Sequence, residues 1–86
     1  MTDIRWNALK SMWLKKTRGI SFEEIILEKP IKVINHPKKE NQQITLFLYK
    51  DYIWAVPWIM ISENEIFLKT LYPSRKYTKL YRRGEL

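Results

Sequence analysis

An apolar hairpin in the middle of the chain sets the strongest limit on its fold. Residues 43–50 alternate between two sets of apolar side chains, one starting at Ile44 and the other including Phe47. Residues 52–60 are apolar almost throughout, which is typical of a strand that is covered on both faces. The Lys50–Asp51 dipeptide between them leaves room only for a tight turn. The sequence therefore predicts two antiparallel strands at the centre of the protein.

Two further stretches predict strands that flank this hairpin. Residues 31–36 are short and rich in β-branched side chains, and residues 65–72 alternate between two faces. The polar loop 37–42 and the turn 62–64 make the connections. Because Pro57 has no backbone N–H, we expect a bulge or a local break in pairing beside it.

Helical patterns lie at both ends of the strand region. Residues 8–17 predict a first helix that Gly19 ends. Ser21 and Glu24 form a capping box that starts a second helix, and Pro30 is predicted to end it. After Pro73 and Ser74, Tyr77, Leu80 and Tyr81 recur at three and four residues, which predicts a C-terminal helix.

These patterns together predict one α+β domain over residues 1–86, with two N-terminal helices, a four-stranded antiparallel sheet and a C-terminal helix. The chain contains no Cys, so a reducing cytosol suits it. Charged residues interrupt the first 20 positions, and no apolar run approaches the length of a membrane span. We therefore expect a cytoplasmic protein with no membrane partner. All four tryptophans are interpreted as core residues.

The positive charge of the chain is concentrated at its C-terminal end. Lys69 to Leu86 holds six Lys or Arg and one acid, a net +5 out of a formal +7 for the whole chain. Tyrosines alternate with these cations, a composition that suits RNA or DNA. The same charges also fit a solvated helix face, with Tyr77 and Leu80 docking the helix.

The residue types exclude most kinds of catalytic site. The chain has one His, no Cys, no Gly-x-Ser-x-Gly segment and no glycine-rich phosphate loop, so we expect no metal and no cofactor. Metal-free RNA cleavage remains possible, because the 2′-hydroxyl of RNA is the nucleophile and the protein supplies charge and proton transfer. The residues with suitable groups for catalysis are Arg75, Lys76, Tyr81, Lys69 and His36. Those predicted to bind RNA are Arg82, Arg83 and Lys79. Two of these groups have simpler interpretations, His36 as a turn residue and Lys69 as a side chain that only extends its amine into solvent.

Two stretches resemble the BrnT family of bacterial toxins. Trp6-Asn7, a short Lys-bearing helix and then Arg-Gly-Ile-Ser-Phe-Glu-Glu-Ile at 18–25 are similar to its N-terminal signature. The segment 71–81 is similar to its closing motif, in which Arg75 and Lys76 match the basic part, Thr78 the Thr and Tyr81 the final Tyr. Arg18 stands where the family has His, and the Glu of the closing motif is absent.

The resemblance implies a RelE-like fold and a metal-independent endoribonuclease that arrests translation. It also implies a cognate antitoxin of ribbon-helix-helix type, with operator DNA bound only through the toxin–antitoxin complex. The absent Glu leaves a second hypothesis open, in which the chain is a non-catalytic basic module that binds an acidic antitoxin or DNA.

Overall fold

A six-stranded mixed sheet with helices on both faces forms the protein. The structure is a computed structural model that describes residues 2–86. Its elements are β1 (Asp3–Arg5), α1 (Ala8–Arg18), α2 (Phe22–Ile25), β2 (Lys29–Asn35), β3 (Gln42–Tyr49), β4 (Tyr52–Ser62), β5 (Glu65–Leu68), β6 (Tyr72–Pro73) and α3 (Arg75–Arg82). The strand order is β1-β5-β4-β3-β2, and β6 pairs with β4. The β1–β5 pair is parallel and the other pairs are antiparallel.

The predicted central hairpin is confirmed. β3 and β4 pair without interruption from Tyr49 opposite Tyr52 to Gln42 opposite Ile59. Lys50 and Asp51 form the turn with φ of 49° and 62°. Two successive positive φ values are typical of a two-residue hairpin turn whose twist matches that of the strands.

Both faces of β4 are covered, as its composition predicts. On one face, a cluster that includes Phe47 and Val56 packs against α1 and α2. On the other face, a second cluster that includes Leu46 and Ala55 packs against tyrosines from β6 and α3. The sheet thus separates the N-terminal helices from the C-terminal helix.

The prediction of a four-stranded, wholly antiparallel sheet is wrong, because β1 and β6 also join the sheet. β1 is three exposed residues, and Ile4 pairs in parallel with Ile66. Arg5 forms an ion pair with Glu65 across this pair of strands. Such a short strand has no periodic pattern of its own, and its pairing depends on a partner about sixty residues away.

The predicted break at Pro57 is confirmed, and it divides the predicted strand 65–72 into β5 and β6. The Pro57 carbonyl accepts a hydrogen bond from the Lys69 N–H at 2.8 Å. The ring nitrogen of Pro57 faces the same side of β4, so no ladder bond to the next strand is possible there. Residues 69–71 lie outside both strands, and regular pairing resumes where Tyr72 faces Ala55.

The prediction that Pro30 ends the second helix is wrong. The second helix ends at Ile25, and Pro30 lies within β2. A proline is accommodated there because β2 is an edge strand, where a missing donor costs no ladder bond.

Trp13 is 48% exposed, so it is not a core residue. The inward face of α1 carries Ser11 and Leu14 instead. The Ser11 hydroxyl accepts a hydrogen bond from the Phe22 N–H at 3.0 Å and donates to Glu23, which turns Trp13 toward solvent. Trp6, Trp54 and Trp58 pack against the core, as predicted.

Candidate nucleic-acid interface on the C-terminal helix

Hydrogen bonds to one residue of β4 fix the position of α3. The Ser74 N–H donates to the Ile53 carbonyl at 2.8 Å, and the Ile53 N–H donates to the Thr78 hydroxyl at 2.9 Å. The Thr78 hydroxyl in turn donates to the Ser74 carbonyl at 2.6 Å. Ser74 also caps the helix, since its hydroxyl accepts from the Tyr77 N–H at 3.1 Å. These bonds turn positions 74, 77, 78 and 81 toward the sheet.

The opposite side of α3 and its C-cap carry only cations. The exposed residues are Arg75, Lys76, Lys79, Arg82 and Arg83. The sequence has no acidic residue between Glu65 and Glu85, and the first turn of α3 contains none. Arg75 and Lys76 stand at the positive end of the helix dipole, where cations are unfavourable for stability. That arrangement strengthens the local positive potential, as expected of a surface that binds anions.

The hairpin turn between β3 and β4 positions Arg82. Its Nη2 donates to the Asp51 carbonyl at 3.2 Å, and its Cζ lies 6.0 Å from the Tyr52 ring centroid. Asp51 and Tyr52 were not among the residues predicted for the site. The only signal was the predicted tight turn, which does not show that α3 packs beside it.

Three tyrosines lie beneath the cations, half-buried between α3 and the sheet. Tyr72, Tyr77 and Tyr81 all pack against the cluster that contains Ile53. Tyr77 was expected there, and Tyr81 packs there as well. Burial raises the pKa of the Tyr72 hydroxyl, and the nearby Tyr77 adds to this rise. The raised pKa makes this hydroxyl a weaker acid than that of a solvent-exposed tyrosine.

The other two catalytic candidates lie away from the centre of α3. Lys69 is exposed, and its amine lies 6.0 Å from the Phe67 ring centroid. Its backbone is bonded to Pro57, roughly 13 Å along β4 from Ile53 at about 3.3 Å per residue.

His36 lies at the opposite end of the hairpin from Arg82. Its Nδ1 accepts hydrogen bonds from the N–H groups of Lys38 at 3.0 Å and Lys39 at 3.2 Å. It is thus part of the β2–β3 loop, as the turn interpretation predicts. β3 spans eight residues between this loop and the turn near Arg82, roughly 23 Å. The structure does not bring His36 together with Arg75 or Tyr81.

Arg18 is a structural link between α1 and the sheet. Its guanidinium donates a hydrogen bond to the Leu71 carbonyl, in the segment between β5 and β6. The same group lies 5.5 Å from the Trp13 ring centroid. Arg18 thereby gives the carbonyl of Leu71, a residue outside the strands, a hydrogen-bond partner.

The surface of α3 is suited to binding several phosphates. Its arginines offer forked donors for phosphate oxygens, and its lysines offer point charges. Among residues 2–86 there is no cluster of three metal-ligating side chains. Within the same range, no helix is long and apolar enough to cross a membrane.

Comparison with known structures relates this architecture to a toxin. The chain is similar to the crystal structure of the Brucella abortus ribonuclease toxin BrnT, with a TM-score of 0.57 and 15% sequence identity. The similarity covers 86% of this chain and 97% of that one. No protein-family profile matches the sequence, and a search of curated proteins gives no significant match. The chain therefore has a BrnT-like α+β fold, and the resemblance seen in its sequence is confirmed at the level of the fold.

Proposed function

We propose that the chain is the toxin of a bacterial type II toxin–antitoxin pair, a metal-independent endoribonuclease that inhibits translation in the cytoplasm by cleaving RNA. The observation that carries this proposal is the exclusively basic exposed face of α3. The likeness to a ribonuclease toxin supports it.

Charge stabilisation is the main contribution of the protein to this reaction. The 2′-hydroxyl of the substrate gives up its proton and attacks the adjacent phosphorus, and negative charge accumulates on the phosphorane oxygens. The bond from phosphorus to the 5′-oxygen of the next nucleotide then breaks, and that oxygen takes up a proton. Arg75 and Lys76 stabilise that charge, and Tyr81 positions the substrate or transfers a proton. Lys79, Arg82 and Arg83 hold the flanking phosphates. Lys69 and His36 contribute only to the binding of a longer stretch of RNA, because both lie away from the centre of α3.

Cleavage of a defined RNA in the presence of EDTA tests the proposal. The wild-type chain should produce fragments that end in a 2′,3′-cyclic phosphate, the product of attack by the 2′-hydroxyl. Arg75→Ala with Lys76→Ala should lose this activity and should relieve toxicity, while circular dichroism stays unchanged. The matched control is Lys38→Ala with Lys39→Ala, which removes two exposed cations from the β2–β3 loop. If the RNA stays intact with the protein in stoichiometric excess, and expression of the chain does not slow growth, the ribonuclease function is excluded.

The placement of His36 favours a second candidate, a non-catalytic basic module that binds an acidic antitoxin or DNA. Its imidazole Nδ1 is occupied by loop N–H groups, far from the cations of α3. Binding of RNA or DNA that weakens steeply with salt and yields no product would support this candidate.

The proposed partner is an antitoxin of the ribbon-helix-helix type, with operator DNA bound only through the complex. Co-expression with the protein encoded by the neighbouring gene should restore growth, and the two proteins should co-purify. Operator DNA should be shifted by the complex and not by the chain alone at physiological salt.

A further inference from the structure

An apolar stripe lies on the side of α1 that faces away from the sheet. Leu9, Met12 and Trp13 are 76%, 68% and 48% exposed. At about 100° per residue, these positions fall on one side of the helix, opposite the buried Ser11 and Leu14. Three neighbouring large apolar side chains in solvent are typical of a surface that contacts another protein.

Cations border this stripe, and α1 has no acid of its own. The basic residues of α1 are Lys10, Lys15, Lys16 and Arg18. Lys15 is neutralised by Glu24, with its amine 2.9 Å from the carboxylate. The Lys10 amine lies 5.2 Å from the Trp13 ring centroid, on the other side of the stripe. Among residues 2–86, Lys10 and Lys16 have no salt-bridge partner, so their positive charges lie uncompensated beside the apolar side chains.

A groove beside the stripe can receive a partner side chain. It has a volume of about 360 Å³ and runs between α1 and the start of α2, with Met12, Lys16 and Ser21 on its walls. Glu23 and Glu24 also line it, but Ser11 and Lys15 already engage their carboxylates. Two charges beside Met12 are not cancelled by an ion pair among residues 2–86, that of Lys16 and that of Glu23, whose carboxylate only accepts a hydrogen bond from the Ser11 hydroxyl.

We propose that this face of α1 docks an acidic amphipathic helix of another protein. A helix with an apolar stripe and flanking Asp or Glu matches both the apolar side chains and the cations. A second copy of this chain would oppose like charges, since each α1 is basic. RNA would find one ring for stacking, Trp13, while Leu9 and Met12 offer no flat surface. The proposal rests on the proposed function only in requiring a protein partner.

The location on α1 leaves the cations of α3 accessible. α1 and α3 pack on opposite faces of the sheet. A partner helix on the Leu9 stripe therefore does not cover Arg75 or Lys79. The partner and a nucleic acid can bind the chain at the same time through separate surfaces.

Selection from a display library of short helical peptides tests the proposal on the full chain. Enriched peptides should be acidic, with apolar residues at positions i, i+3 or i+4, and i+7. Leu9→Gln with Met12→Gln should weaken their binding by about tenfold or more, because two apolar side chains leave the contact. Both positions are exposed, so circular dichroism should show an unchanged fold. Lys79→Gln with Arg83→Gln is the matched control and should leave binding within about twofold, which corresponds to a few tenths of a kcal/mol.

Three results would overturn this inference. In the first, enriched peptides depend on Lys79 and Arg83 but not on Leu9 and Met12, so that α3 is the peptide site. In the second, sedimentation shows a dimer that Leu9→Gln with Met12→Gln abolishes, so that a second copy occupies the stripe. In the third, RNA cross-links to Trp13 in the wild-type chain. Each result is independent of RNA cleavage, which the α3 variants test separately.

Discussion

The backbone of Ile53 holds Thr78 in place, because the Ile53 N–H donates to the buried Thr78 hydroxyl at 2.9 Å. Thr78→Val keeps the shape of the side chain and leaves this N–H without an acceptor. We expect the free energy of unfolding to fall by about 1–3 kcal/mol, the usual cost of a buried unsatisfied donor. Urea denaturation measures the change.

Thr78→Ser is the control for this prediction. It keeps the hydroxyl and removes one methyl group, so its cost is about 1 kcal/mol of lost burial. A Val variant as stable as the wild type would show that the hydrogen bond contributes little to docking of α3.

Neutralising two cations of α3 should reduce the salt dependence of RNA binding. Lys79→Gln with Arg83→Gln removes two phosphate contacts, so the slope of log K against log salt should fall by about 1.4 for single-stranded RNA. Fluorescence anisotropy at several salt concentrations gives the slope. Lys38→Gln with Lys39→Gln removes the same charge from the β2–β3 loop. An equal fall in that control would mean that only net charge matters.

Glu24 makes the stability of the protein depend on pH in the acidic range. Hydrogen bonds from Lys15 and then from Ser21 hold the pKa of its carboxyl below the ordinary value of 4.5. Because the folded pKa is lowered, this stabilisation is fully present above about pH 4.5 and is lost as pH falls through the folded pKa. Glu24→Gln keeps the capping box geometry and cannot titrate, so its unfolding midpoint should fall less steeply below that pH.

The control for the pH dependence is Glu63→Gln at the exposed β4–β5 turn. The midpoint of this variant in urea should follow the wild type from neutral pH down to acid. If it flattens the profile as much as Glu24→Gln does, the Lys15–Glu24 pair is not the source.

Gly19 has a conformation that other residues adopt at a cost. Its φ is 84°, and a Cβ added there would meet no atom within 4 Å. The cost of Gly19→Ala is therefore backbone strain alone, about 1–2 kcal/mol. Gly19→Asn should cost less, since Asn tolerates the left-handed region. Thermal unfolding of the two variants checks the order, and an equal loss for both would point to a side-chain contact instead.

Local features of the fold were predictable from the sequence, and long-range pairings were not. The Lys50–Asp51 turn and the Ser21–Glu24 capping box depend on neighbouring residues, so their residue types predict them. The parallel pairing of β1 depends on β5, at the other end of the chain. Three residues without periodicity carry no signal for such a partner.

The candidate site shows the same division. Helical spacing predicts that the cations of α3 share one side, but it does not fix which tyrosines face the sheet. The bond between Ile53 and Thr78 decides the rotation of α3, and it joins residues 25 positions apart. That rotation brings Tyr81 as well as Tyr77 against the sheet, where the sequence favoured Tyr77 and Leu80.

The interruption at Pro57 has a consequence for hydrogen exchange. β5 and β6 are separate segments beside β4, so β6 and α3 can open as one cooperative unit while β5 stays paired. The Ile53 amide is protected only by the Thr78 hydroxyl on that side of β4. The rate of deuterium uptake at the Ile53 amide therefore reports directly how often the C-terminal helix opens.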